Sequence, residues 1–263
     1  MDENLVFDVG LHKGEDSDFY LRKGFRVVAV EASSELAQTT AQRLQSAIAE
    51  GRLNILNVAV AASDGPLTFW VNPAVSVWGT ANIDFMERNK RNRRPSVAVT
   101  IEGRNFAGIL REHGIPYYLK VDIEGFDMLC VQALREFQSR PRYISVESTQ
   151  SSWEDLLKEF AVFKELGYTK FKVVPQHMVL TQRCPNPARE GKYVEQTFGD
   201  NASGLFGEEA PGEWVDETEA LRQYRKIFSD YKWRGADSFL RRIRLIPRLI
   251  RGSGWYDTHA ALG

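Results

Sequence analysis

Leu5 to Glu31 reads L-V-F-D-V-G-L-H-K-G-E-D-S-D-F-Y-L-R-K-G-F-R-V-V-A-V-E. A short apolar run, Leu5 to Val9, ends in a glycine turn at Gly10 and Gly14. A helical pattern follows through Phe19, Tyr20 and Leu21, and a second apolar run, Val27 to Val30, stops on Glu31. Strand, turn, helix and strand in one crossover is the unit that builds a buried parallel sheet. Nucleotide-like ligands sit where such strands end.

The alternation continues outward from this unit. Ser33 or Ser34 caps a helix running to about Glu50, where Gly51 ends it. Leu53 to Val60 reads as a third strand, Ser63-Asp64-Gly65 as a turn and Leu67 to Val71 as a short extended segment. Asn72 to Pro95 is irregular and carries the basic run Arg88 to Arg94, read as a solvated loop or a contact for an acidic substrate. Strands follow at Val97 to Ile101, Tyr117 to Asp122, Tyr143 to Val146 and Thr169 to Val174. Helices separate them near Asn105 to His113, Phe126 to Phe137 and Trp153 to Leu166. This order predicts an α/β fold, a doubly wound and mostly parallel sheet over residues 1–175.

After Pro175, prolines and glycines mark a long loop region, so residues 176–263 read as a C-terminal loop-and-helix extension forming a substrate lid. Its amphipathic helix, Asp216 to Lys232, aligns Leu221, Tyr224, Ile227, Phe228 and Tyr231. That stripe suits packing on its own sheet or on a second copy. An arginine-rich helix, Ala236 to Leu245, follows, with Arg241, Arg242, Arg244, Arg248 and Arg251 read as a solvated face or an anion contact. The aromatic-polar tail Trp255 to His259 reads as a flap over the crevice. Trp70, Trp78 and Trp233 read as core or lid packing.

Composition narrows the function. The 263 residues are 43% apolar with a net charge of −1, which argues against general nucleic-acid binding. No apolar stretch approaches the roughly 20 residues that span a bilayer. The N-terminus enters its first strand at once, leaving no room for a signal peptide. Cys130 and Cys184 lie in no metal-ligand spacing, and Cys130 reads as a buried free thiol. A reducing cytoplasm is the expected location.

Asp8, Glu31, Asp122 and Glu147 finish strands, and in a parallel sheet such ends converge on one edge. Negative charge gathered there calls for a cationic or hydroxyl-rich ligand, and Glu31 stands where a residue accepting ribose hydroxyls belongs. A dinucleotide turn needs G-x-G-x-x-G. Here His12 replaces the middle glycine, so a pyrophosphate meets an imidazole and a Cβ. S-adenosylmethionine carries a sulfonium and an ammonium and no phosphate, and it tolerates the change. The plainer reading is that Gly10 and Gly14 only make a tight turn.

These residues resemble a known family. F-D-V-G-L-H-K-G at the start, V-E-A at the second strand and L-K-V-D-I-E-G at Leu119 to Gly125 are similar to the FkbM-type S-adenosylmethionine-dependent methyltransferases. Phe171 to Gln176, Ser203 to Glu209 and Trp255 to His259 resemble one branch of it. The resemblance implies a seven-stranded, Rossmann-like methyltransferase sheet and methyl transfer to a hydroxyl of a sugar or a secondary-metabolite-like molecule. By position it implies Asp8, Gly10, His12 and Gly14 around the methionine part, Glu31 and Ala32 at the ribose, Asn57, Ala59 and Val60 at the adenine, and Asp122 by the sulfonium. It implies Lys172, Gln176, Ser203, Glu208 and Tyr256 at the acceptor.

An alcohol acceptor gains about 10²–10⁴-fold from a base within hydrogen-bond reach. The candidates are Glu124, His177 and His259. The plainer readings are Glu124 as a helix cap or ion-pair partner of Lys120, and both histidines as surface residues. No cluster has convincing metal spacing, so no metal is expected. The rival readings are a nicotinamide-dependent oxidoreductase, disfavoured by His12, and a non-catalytic cofactor-binding module.

Overall fold

The computed structural model describes residues 1–71, 87, 96–123, 125–148, 152–234 and 255–263. Strand β1 (Asp2–Val9) is buried from Leu5 onward because both of its faces are covered. Alternate side chains point to opposite faces. Leu5, Phe7 and Val9 enter one apolar cluster and Val6 another. The chain turns into α1 (Glu15–Arg22) and returns as β2 (Arg26–Val30), parallel to β1. After α2 (Ser34–Arg43) and α3 (Gln45–Ala49) come β3 (Leu53–Leu56), β4 (Ala59–Ala61), β5 (Gly65–Val71) and β6 (Val97–Asn105). Then follow α4 (Phe106–His113), β7 (Pro116–Val121), α5 (Asp127–Ala133), β8 (Tyr143–Glu147), α6 (Trp153–Glu165) and β9 (Tyr168–Pro175). Helix α7 (Glu217–Arg234) and strand β10 (Tyr256–Leu262) complete the described elements.

Seven strands pair in the order β3-β2-β1-β7-β8-β10-β9. All neighbours run parallel except β10, antiparallel to both β8 and β9. The expected doubly wound, mostly parallel seven-stranded sheet is therefore the fold. Strand order reverses between β1 and β7, so a crevice opens beyond Val9 and Val121. One face is covered by α4, α5, α6 and α7, which contribute Phe106, Ile109, Cys130, Val131, Leu156, Phe160, Phe163 and Tyr224. The other is covered by Phe19 and Tyr20 of α1, Ala47 of α3, and Val179, Phe198, Leu205 and Phe206 from the loops after β9.

Four local expectations are corrected. The helix expected from Ser33 to Glu50 breaks at Leu44 into α2 and α3. The strand expected from Leu53 to Val60 divides, since β3 joins the main sheet while β4 pairs with β6 in a separate three-stranded sheet, β4-β6-β5. The Val97 strand therefore lies outside the doubly wound sheet. The tail is no flap: Tyr256–Leu262 is inserted between β8 and β9, with Ala260 fully buried. Its polar residues concealed this, yet Thr258 is satisfied at depth by Ser148 (2.5 Å) and Tyr224 (2.6 Å).

The amphipathic helix packs on its own sheet, Tyr224 lying edge-on to Phe160. In the loops of the extension, Phe206 packs into the core, stacking on Tyr118 at 4.4 Å. Arg88 to Arg94, Trp78, the Ala236 to Leu245 helix with its arginines, and the side chains of Tyr231 and Trp233 lie outside the described residues. Trp70 is half-buried on β5. Among the described residues no helix is long and apolar enough to cross a membrane.

Candidate active site

The glycine turn is shaped by a close approach. Gly10 has φ +94°, and a Cβ there would lie 2.0 Å from the carbonyl oxygen of Asp122 at the end of β7. Only glycine meets both demands. Gly14, at φ +73°, enters α1 against Thr40. His12 adopts φ +50° without being glycine, a conformation that costs roughly 1–2 kcal/mol. Its backbone N–H donates to Glu31 Oε2 at 2.8 Å.

Glu31 is 8% exposed at the end of β2 and also accepts the Ser33 N–H at 2.7 Å. Burial pushes its carboxyl up to about 6, against these two donors. Lone pairs remain for the hydroxyls of a ribose. Asn57 braces this corner, donating to the carbonyls of Glu31 (2.8 Å) and Ala32 (3.3 Å) and accepting from Ser34. Ala59 and Val60 follow it, buried in β4.

One row deeper lies a buried ion cluster. Lys120 Nζ is 3.0 Å from Asp8 and 3.4 Å from Asp16, and it donates to the Gly10 carbonyl at 3.0 Å. Burial opposes its charge, but Asp8 and Asp16 outweigh that and hold its pKa well above the usual lysine value. Asp8 is fully buried and accepts from Ser17 Oγ at 2.7 Å, so it supports the turn from beneath rather than lining the crevice. Asp16 is raised to about 6 by burial, while Lys120 pulls the other way. It accepts the Ser203 N–H at 3.0 and 3.1 Å.

The carboxyl edge itself is acidic. Asp122 is exposed beyond β7, and Glu147 ends β8 opposite Asp257 on β10. Asp127, at the start of α5, accepts the N–H groups of Ile123 and Gly125, and burial lifts it to about 6. Asp257 is 8% exposed, and burial and then Asp122 push it well above the carboxylate range.

Of the expected bases, His177 and His259 lie apart. Glu124 lies outside the described residues. His177 is exposed on a turn after β9. His259 is 2% exposed in β10, paired with Ser145 and Lys172, and burial depresses it to about 3. Several residues expected at the acceptor instead tie the extension to the sheet. Lys172 donates to the carbonyls of Gly207 (3.3 Å) and Ala210 (2.6 Å) under the Trp214 ring. Glu208 accepts from Tyr143 and Trp214, and Ser203 from its backbone anchors on Asp16. Gln176 bonds the Trp255 carbonyl through its backbone, and Tyr256 is half-buried opposite Pro175.

Sequence reasoning missed the burial of Asp257 at the acidic edge and Lys120 as the centre of the ion cluster. Lys120 sits in L-K-V-D-I-E-G, directly before the edge, which is the signal that pointed to it. Asp257 had no local signal beyond its place in the tail motif. Glu31, the Gly10 cradle and the acidic edge fit an adenosyl ligand with positive charge, and Lys120, fully engaged by acids, has no phosphate role. Among the described residues no group of three or more His, Cys, Asp or Glu is placed to hold a metal.

Comparison with family models matches the methyltransferase FkbM domain over residues 8–170. Curated proteins yield no match. Among solved structures, methyltransferase FkbM from Methylobacillus flagellatus KT is 17% identical, with TM-score 0.43 over 65% of this chain and 40% of that one. The chain thus spans less than half the length of that protein. Precorrin-6y C5,15-methyltransferase from Geobacter metallireducens GS-15 is 10% identical, covering 100% and 82% with TM-score 0.40. A SAM-dependent methyltransferase from Archaeoglobus fulgidus is 11% identical, covering 98% and 86% with TM-score 0.38.

Proposed function

Because the chain belongs to the FkbM methyltransferase family, we propose that it methylates a hydroxyl of a sugar or secondary-metabolite-like small molecule, with S-adenosylmethionine as donor. The observation that carries this reading is the buried Glu31 carboxylate beside the Gly10 turn, on an edge that continues through Asp122 to Asp257. Glu31 would hold the ribose hydroxyls, the Gly10 backbone would pass close to the methionine part, and Asp122 would face its positive charge. When bound, S-adenosylmethionine supplies a methyl carbon already activated by its sulfonium leaving group.

The chain then has to align the acceptor oxygen and exclude water. Good alignment contributes roughly 7–11 kcal/mol. The turn is rigid enough for this, being pinned by Lys120 to Gly10 and by paired bonds from Gly10 and Leu11 to the Val30 carbonyl. Unpaired thiols at Cys130 and Cys184 support a cytoplasmic setting.

Calorimetry with S-adenosylhomocysteine and with NADH tests the donor class. Binding of the first alone is expected, and binding of NADH alone reverses the reading to an oxidoreductase. Radiolabelled methyl transfer to matched alcohol and amine panels tests the acceptor class. Labelling of amines only overturns the hydroxyl assignment, and cofactor binding with no turnover on either panel leaves a non-catalytic module.

A further inference from the structure

Each of the other buried carboxylates on the α1 face of the sheet has hydrogen-bond donors. Asp8 takes Ser17 and Lys120, Asp16 takes the Ser203 N–H, and Glu31 takes the His12 and Ser33 N–H groups. Asp257 does not. Its side chain is 8% exposed, yet among the described residues no hydrogen bond or ion pair reaches its carboxylate. Its oxygens are not among the fully enclosed unpartnered atoms, so the little exposure it keeps is at the carboxylate. A carboxylate so largely desolvated is costly, and one retained at the mouth of a site is explained by a donor that arrives with a ligand.

Its position says which ligand group that is. Asp257 opposes Glu147 across β10 and β8, and β8 in turn neighbours β7, which ends at Asp122. Two strand spacings separate Asp122 from Asp257, about 10 Å between backbones, with Glu147 on the strand between them. Asp122 is near enough to raise the proton affinity of Asp257. The groups facing Asp257 are Asp122 and Lys120 of the β7 segment, Asp16 of α1 and Asp127 of α5, with Glu147 alongside. Lys120 is engaged by Asp8 and Asp16 and stands a row deeper.

We propose that Asp257 is the catalytic base, receiving the proton of the acceptor hydroxyl as its oxygen is methylated. The assignment rests on the methyl-transfer reading above. The acceptor oxygen forms its bond to the methyl carbon while the carbon–sulfur bond breaks and its electron pair stays on sulfur. The hydroxyl proton passes to the Asp257 carboxylate, which then releases it to water. Burial and the neighbouring acids raise the affinity of Asp257 for that proton.

The test does not require the acceptor's identity. Sinefungin carries a primary ammonium on a carbon replacing the sulfonium, and so places a cationic donor where the methyl group projects. Its affinity relative to S-adenosylhomocysteine, both by calorimetry, reads the acid facing that point. Wild-type protein is expected to prefer sinefungin, and Asp257→Asn to reduce that preference by about 10- to 100-fold while S-adenosylhomocysteine affinity holds within about threefold. Asp257→Ser serves if the asparagine variant does not fold. An unchanged ratio in a folded variant overturns the assignment and leaves the methyl-donor reading standing. If the wild-type protein binds neither compound, the methyl-donor reading falls and this assignment with it.

Discussion

Asp8 and Lys120 face each other in register on β1 and β7, carboxylate and ammonium 3.0 Å apart, neither side chain more than 5% exposed. The same ammonium holds the Gly10 carbonyl and lies beside Asp16, whose carboxylate anchors Ser203 of the extension. One buried cation therefore joins the central strands, the glycine turn and a loop from the far end of the chain. Replacing such a charge leaves its partners buried and uncompensated.

Lys120→Met is accordingly expected to lose about 3–5 kcal/mol of stability. Adding Asp8→Asn to it is expected to restore part of the loss. Urea denaturation of both variants measures this, and a double variant no better than the single one contradicts the pairing.

In the proposed function Glu31 holds the two ribose hydroxyls, which Glu31→Ala would release, and a hydrogen bond to a charged group contributes about 1.5–3 kcal/mol. Its affinity for S-adenosylhomocysteine is expected to fall at least about tenfold. Because burial raises the Glu31 carboxyl to about 6, wild-type affinity should rise between pH 5 and 7 as this carboxylate ionises. Glu31→Gln should show no such rise from this group, and an equal rise in the variant would falsify the assignment.

His259 titrates in the opposite sense to the acids. Burial lowers it from 6.5 to about 3, and neither ring nitrogen has a hydrogen-bond partner among the described residues. Between those values the unfolded chain binds a proton that the folded chain does not. Stability from the neutral imidazole is thus present above pH 6.5 and is lost as pH falls toward 3, about 3 kcal/mol of it by pH 4. His259→Leu is expected to match the wild type near pH 7 and to lose less stability on acidification. Asp16, Glu31 and Asp127, raised to about 6, work the other way, and both proteins share them. Denaturation curves at pH 7 and pH 4 decide the matter, and parallel losses refute it.

Phe206 is fully buried, stacked on Tyr118 and edge-on to Tyr20 (5.4 Å) and Phe25 (5.7 Å). Phe206→Ala is expected to cost about 3–5 kcal/mol in thermal or urea unfolding. A loop serving only as a lid would lose far less, so a small effect argues for the lid.

How much could be read in advance varies residue by residue. Gly10 was legible because a strand end followed by glycine announces a positive φ, though the contact with the Asp122 carbonyl became visible only once β1 and β7 were adjacent. Glu31 was legible from its place at the end of the second strand. Lys172 and Glu208 looked like acceptor contacts because they sit in a motif. Their ammonium and carboxylate instead engage Gly207, Ala210, Tyr143 and Trp214, partners that sequence spacing does not reveal. The tail was misjudged because Asp257, Thr258 and His259 are polar, whereas central strands are ordinarily apolar.

The order of residues alone specified the crossover, its glycine turn and the acids that finish the strands. These follow from periods of two for strands and about 3.6 for helices and from backbone angles open chiefly to glycine. Folding decided which buried acids keep donors and left Asp257 without one among the described residues. That outcome depends on β10 entering the sheet between β8 and β9, and pairing between segments so distant in the chain leaves no local periodicity to read.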